Sequence, residues 1–139
     1  MSSGLYDGGI KELAQLDVSP EHLADPDRRA SVDNPFCGDQ VDLEITVEAG
    51  RVTALAQRVR GCMLCQAAAN VVAQSAIGLS SAEIGHVHSR LAGMLAGDST
   101  PDWAPPGWER LVLFEPVHRH RSRHGCVLLP FRALLEALC

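Results

Sequence analysis

The chain has 139 residues, 46% of them hydrophobic, which suits one globular domain spanning 1–139 and excludes an intrinsically disordered chain. Seventeen acidic against twelve basic residues leave a formal charge of −5, a balance that argues against nucleic acid as the main partner. No apolar run approaches the roughly 18 residues of a membrane span, so no membrane partner is expected.

In chain order, 5–16 (LYDGGIKELAQL) places Leu5, Ile10, Leu13 and Leu16 at near-helical spacing, interrupted early by Gly8 and Gly9. The polar stretch 17–34 reads as an irregular connection. Val41, Leu43, Ile45 and Val47 then alternate with Asp42, Glu44, Thr46 and Glu48, the pattern of a strand with one buried and one wet face. Ala49-Gly50 turns the chain, and 51–59 is the expected hairpin partner. From Cys62 to Ile77 the residues predict a buried helix ended by Gly78. Ser80 or Ser81 followed by Glu83 predicts the cap of another helix running to about Ala96. A loop with three prolines occupies 97–108, and a short apolar run, 110–114, precedes a basic stretch in which His118, His120 and His124 interleave with Arg119, Arg121 and Arg123. That stretch is either a solvated loop or a dock for an acidic partner. The apolar end, 126–138, predicts a last helix with Pro130 in its first turn, where a missing N–H costs little. The expected fold is α+β: a small antiparallel sheet of two to three strands covered on one face by helices.

The opening MSSGLYDGGIKELAQL has neither the basic start nor the apolar centre of a secretory signal. Five cysteines without such a signal point away from a disulfide framework and towards metal or redox chemistry in the cytoplasm. Cys37-Gly38-Asp39 puts two short ligands either side of a glycine, ahead of a strand. Thiolate with carboxylate favours zinc or iron over magnesium or calcium. Cys62 follows Gly61 at a helix start and Cys126 follows Gly125 at the expected start of the last helix, positions where the helix dipole favours thiolate. Each cysteine taken alone is as readily an inert core residue, since free cysteine packs like a small hydrophobe.

Asn34-Pro35-Phe36-Cys37-Gly38-Asp39, the hairpin, and Arg60-Gly61-Cys62 opening an alanine-rich helix resemble the NifU N-terminal, IscU and SufU family of iron–sulfur scaffolds. The early Leu5-Tyr6 segment and the late cysteine before a C-terminal helix fit the same resemblance, which is weakest over 17–32 and 97–123. It implies that Cys37, Asp39, Cys62 and Cys126 hold zinc or a nascent iron–sulfur cluster, that a cysteine desulfurase delivers sulfur as persulfide, and that apo iron–sulfur proteins receive the product. Cys126 is the implied sulfur acceptor, with Asp39 a weak, exchangeable ligand. The likeness is greater to SufU-type than to IscU-type proteins, because the long span between Cys62 and Cys126 fits the SufU-type insertion and the Leu-Pro-Pro-Val-Lys motif is absent. Gly125 stands where IscU-type scaffolds carry a histidine, and His124, one residue earlier, is a further candidate ligand. Cys65 completes Cys62-Met63-Leu64-Cys65 and is an extra ligand, a resolving thiol or a core residue. Cys139 is terminal and expected to be idle. Beside the scaffold stand two alternatives: a zinc-dependent sulfur acceptor stimulating a desulfurase, and a dithiol redox protein using Cys62 and Cys65.

Overall fold

A computed structural model describes residues 9–139. Leu5, Tyr6 and Gly8 of the first expected helix lie outside the described residues; within them the helix is α1, Ile10–Ala14, with Ile10 and Leu13 buried. The sheet has three antiparallel strands in the order β1 (Arg28–Asn34), β2 (Asp39–Glu48) and β3 (Arg51–Arg60). Val41, Leu43 and Ile45 are fully or almost fully buried, as their alternation requires. Ala49 (φ 53°) and Gly50 (φ 76°) both take the left-handed backbone that a two-residue hairpin turn needs.

β1 corrects the irregular reading of 17–34. Its segment, RRASVDN, buries only Val32 and Asn34, with Ala30 half-buried, so it carries almost no apolar alternation. An edge strand needs little more: Ala30 pairs with Leu43 and Val32 with Val41 on the inner face. Outside, Arg29 pairs with Glu44 at 3.4 Å and the Ser31 hydroxyl bonds Asp42. The residues before β1 are also pinned, because Gln57 N–H donates to the Pro20 carbonyl at 2.9 Å and Leu23 N–H to Glu44 Oε1 at 2.8 Å.

Helices cover the inner face. α2 (Met63–Ser75) buries Leu64, Cys65, Ala67, Ala68, Val71 and Val72, its alanines allowing close approach to neighbouring elements. α3 (Ser81–Leu95) begins at a capping box: Ser80 Oγ accepts Glu83 N–H while Glu83 returns to Ser80 N–H. The segment Glu109–Arg119 is 3-10 helix, and Trp108, Leu111, Phe114 and Val117, all fully buried, recur every third residue as that helix demands. The basic stretch is therefore helical, not a loop.

α4 runs Arg121–Leu138 and starts five residues before Cys126, so the expected boundary at 126 is wrong. Its first turn, Arg121-Ser122-Arg123-His124-Gly125, has no apolar residue to reveal it in the sequence. Pro130 thus lies inside the helix, where it removes the N–H that would have bonded the Cys126 carbonyl. Trp108 stacks obliquely on Phe131 of α4, ring centroids 5.6 Å apart. Among the described residues no helix is long and apolar enough to cross a membrane.

The capping box yields a stability test. Ser80→Ala is expected to lower the free energy of unfolding by about 1 kcal/mol in urea titration. The Ser80 N–H and then the Arg51 guanidinium hold the Glu83 carboxyl below its ordinary value of 4.5. Its contribution is therefore present above the unfolded value and lost as pH falls through the folded one. Glu83→Gln should flatten this acid limb; an unchanged limb would exclude the cap as its source.

Candidate metal centre

The turn between β1 and β2 is built by Asn34. Its carbonyl accepts Gly38 N–H at 2.8 Å and Cys37 N–H at 3.3 Å, and its side-chain Oδ1 accepts Phe36 N–H at 3.1 Å. Gly38, at φ 76°, completes the reversal and delivers Asp39 as the first residue of β2, opposite Asn34. Cys37 is left exposed on the turn, whereas Asp39 is buried at 4% exposure.

Asp39 reaches the start of α2. Its Oδ1 accepts the N–H of Cys62, the residue that caps α2, at 3.1 Å. Its Oδ2 lies 3.5 Å from Cys62 Sγ. Gly61 makes room for this approach: a Cβ there would stand 3.0 Å from both Asp39 Cγ and Cys65 Cβ, so one of them would have to give by a few tenths of an ångström. From the other side α4 brings Cys126, whose Sγ lies 3.3 Å from Cys37 Sγ. Ligand atoms of Cys37, Asp39 and Cys126 all fall within 4.8 Å of one another. Cys62 adjoins this group through Asp39.

Cys126 sits in the second turn of α4 and is fully buried, so the helix-start argument for its thiolate does not hold. Burial, with the contacts to Cys37 and Asp39, pushes its thiol pKa upward. Cys62, in contrast, is the capping residue at the head of α2, as its sequence position predicts. Cys65 is fully buried in the hydrophobic core, and burial again raises its thiol pKa. It falls outside the group with ligand spacing. His124 is also drawn elsewhere, with Nε2 3.0 Å from the Val117 carbonyl and 3.2 Å from that of His118. All five cysteines are free, and Cys139 is exposed at the chain end.

Two supporting residues carry no metal-ligand signature in the sequence. Asn34, 6% exposed, shapes the Cys37 turn and also fills the space beside Gly125. A Cβ at Gly125 would approach Asn34 Nδ2 to 2.6 Å, so any side chain there would force the Asn34 amide to shift. The Asn34-Pro35 dipeptide was the available hint, because asparagine bonds its own backbone in turns.

The donor set fits a thiophilic cation. A buried carboxylate among sulfurs concentrates negative charge once the thiols ionise, and a bound cation compensates that cost. The two thiols and one carboxylate within ligand spacing, with the Cys62 thiol beside that carboxylate, are donors of the kind zinc and iron take.

Residues 19–94 match the profile of the NifU-like N terminal domain, a span that contains Cys37, Asp39 and Cys62 and ends before Cys126. The fold superposes on the N-terminal part of a nitrogen-fixing NifU-like protein from Brucella abortus with TM-score 0.90 and 29% identity, covering 97% of this chain and 92% of that one. It also superposes on a protein of thermophilic Fervidobacterium islandicum, assigned as an iron–sulfur cluster assembly scaffold for the SUF system, with TM-score 0.87, 22% identity and full coverage of both chains. A hypothetical protein matches at TM-score 0.84 and 22% identity, over 99% of this chain and 98% of that one. No curated protein matches the sequence.

Because Gly61 lets Asp39 meet Cys62, Gly61→Ala is expected to weaken zinc binding about tenfold to a hundredfold in competition with a chromophoric chelator. Unaltered affinity would show that Asp39 is not held for a metal.

Proposed function

The chain belongs to the NifU-like N-terminal domain family, and from that premise we propose that it is an iron–sulfur cluster assembly scaffold using Cys37, Asp39, Cys62 and Cys126 as ligands. The observation that carries this role is the convergence of Cys37, Asp39 and Cys126 within 4.8 Å, with Cys62 bonded to Asp39. The four come from three separate stretches of sequence: the Cys37-Gly38-Asp39 turn into β2, the head of α2 and the second turn of α4. An oxygen donor among thiolates keeps the set exchangeable, which suits a site that releases its cargo. Five free thiols are in keeping with a reducing cytoplasm.

Sulfur enters as the persulfide of a cysteine desulfurase, and exposure supports Cys37 as the first thiol it meets. The Cys37 thiolate attacks the outer sulfur, the donor cysteine leaves as thiolate, and Cys37 carries the persulfide. Cys126, 3.3 Å away and buried, is placed to take that sulfur by the same displacement, its thiol proton passing to the departing Cys37 sulfur. This reading moves the first acceptance of sulfur from Cys126, which the resemblance implies, to the exposed Cys37, with Cys126 second. Apo iron–sulfur proteins are the recipients of the finished cargo. The same exposure gradient favours one further role, a zinc-dependent sulfur acceptor: Asp39, Cys62 and Cys126 would hold the zinc, which would favour thiolate at the exposed Cys37.

Anaerobic reconstitution with ferrous iron and sulfide, followed by absorption and elemental analysis, tests the scaffold. Visible charge-transfer absorption that is lost in Cys37→Ser is expected. Absence of that absorption, with stoichiometric zinc in the purified protein, would replace the scaffold by the zinc-dependent acceptor. Neither metal nor cluster would contradict both.

A further inference from the structure

Phe36 stands immediately before Cys37 and is 93% exposed. Among the described residues, the other exposed large hydrophobics, Leu16, Ile77 and Val112, are each less than half exposed, and Phe114 and Phe131 are fully buried. The turn that presents Phe36 is pinned by the bonds from Phe36, Cys37 and Gly38 N–H to Asn34. An aromatic ring held in water on a fixed turn is preorganised for burial in something else, because less ordering entropy remains to be lost on docking.

The helix that carries the other thiol of the pair, Cys126, begins with basic residues. Arg119, His120 and Arg121 are exposed where the 3-10 segment meets α4, and positions 116–135 contain no Asp or Glu although the chain as a whole is acidic. One turn further along α4, Gly125 lies against the Asn34 side chain and Cys126 against Cys37. Phe36 thus adjoins one thiol of the pair, Cys37, and the basic end of α4 belongs to the helix that carries the other, Cys126.

We propose that Phe36 is the anchor on which the protein sulfur donor docks, its ring entering an apolar pocket beside the donor's persulfide cysteine while acidic residues at the pocket rim face Arg119 and Arg121. The anchor presupposes the scaffold role proposed above and adds the chemistry of the partner surface. Aromatic side chains at the centre of an interface and charges at its rim divide the work: the ring slows dissociation and the charges speed encounter. An anionic membrane would also attract an aromatic beside arginines. A single ring offers it little apolar area, however, and a bilayer over Cys37 would shut off the thiol that exchanges sulfur.

The test titrates the full chain and Phe36→Ala with the purified cysteine desulfurase of the same organism, and measures zinc content and anaerobic cluster loading of both proteins. Phe36→Ala is expected to raise Kd about tenfold to a hundredfold with metal and cluster loading unchanged. Arg119→Glu with Arg121→Glu should lower the association rate and flatten its dependence on salt. An unaltered Kd in Phe36→Ala overturns the anchor. So does a full chain that loads cluster but does not bind the desulfurase, and in that case the scaffold role survives. A full chain that loads neither metal nor cluster removes the scaffold role and the anchor with it. Binding to phosphatidylserine vesicles that Phe36→Ala abolishes, with desulfurase affinity intact, overturns the protein partner in favour of a membrane.

Discussion

The carboxylate of Asp39 joins the two halves of this molecule. It belongs to the first residue of β2, so its backbone is fixed by pairing with Asn34, while its Oδ1 receives the first free N–H of α2 at Cys62. The capping residue, Cys62, makes no side-chain cap bond; Asp39, from the sheet, accepts that residue's own backbone N–H. The same carboxylate lies 3.5 Å from the Cys62 sulfur through its other oxygen, so one side chain joins the head of β2, the head of α2 and a thiol.

Two glycines make that contact and its counterpart sterically feasible. Gly61 admits Asp39 to the α2 terminus, and Gly125 admits Asn34 to the flank of α4. Neither uses the glycine for an unusual backbone angle; both remove a Cβ that would occupy a neighbour's space. The outcome is a graded site: Cys37 outside, Cys62 half-buried, Asp39 and Cys126 inside. Such grading separates roles among chemically similar thiols, since an exposed thiol meets other proteins and a buried one keeps what it is given.

Much of this architecture was legible in the residues. The Val41–Val47 alternation, the Ala49-Gly50 turn and the Ser80–Glu83 box are local signals whose physical cause lies within a few positions, and each forms as expected. β1 was not legible because an edge strand with one well-buried apolar side chain is specified by its partner, not by its own pattern. The first turn of α4 was hidden for a related reason: it is polar, and its place depends on contacts with a distant turn. Cys126 therefore lies in the second turn, not at the helix start that the apolar pattern suggests. The Cys-Gly-Asp run and the late Gly-Cys pair supply the residues whose ligand atoms come together, Cys37, Asp39 and Cys126, whereas the burial of Cys65 and the bonding of His124 to two carbonyls depend on tertiary packing that spacing does not encode.

The central claim is that three sulfurs and one carboxylate oxygen form a single metal shell. Zinc K-edge X-ray absorption of the zinc-loaded protein tests it most directly, because sulfur at about 2.3 Å and oxygen at about 2.0–2.2 Å scatter distinguishably. The account predicts three sulfurs and one oxygen, with the oxygen contribution lost in Asp39→Ala. A shell of four sulfurs would bring Cys65 or Cys139 into the site, and an imidazole signal would bring in a histidine; either result would contradict it.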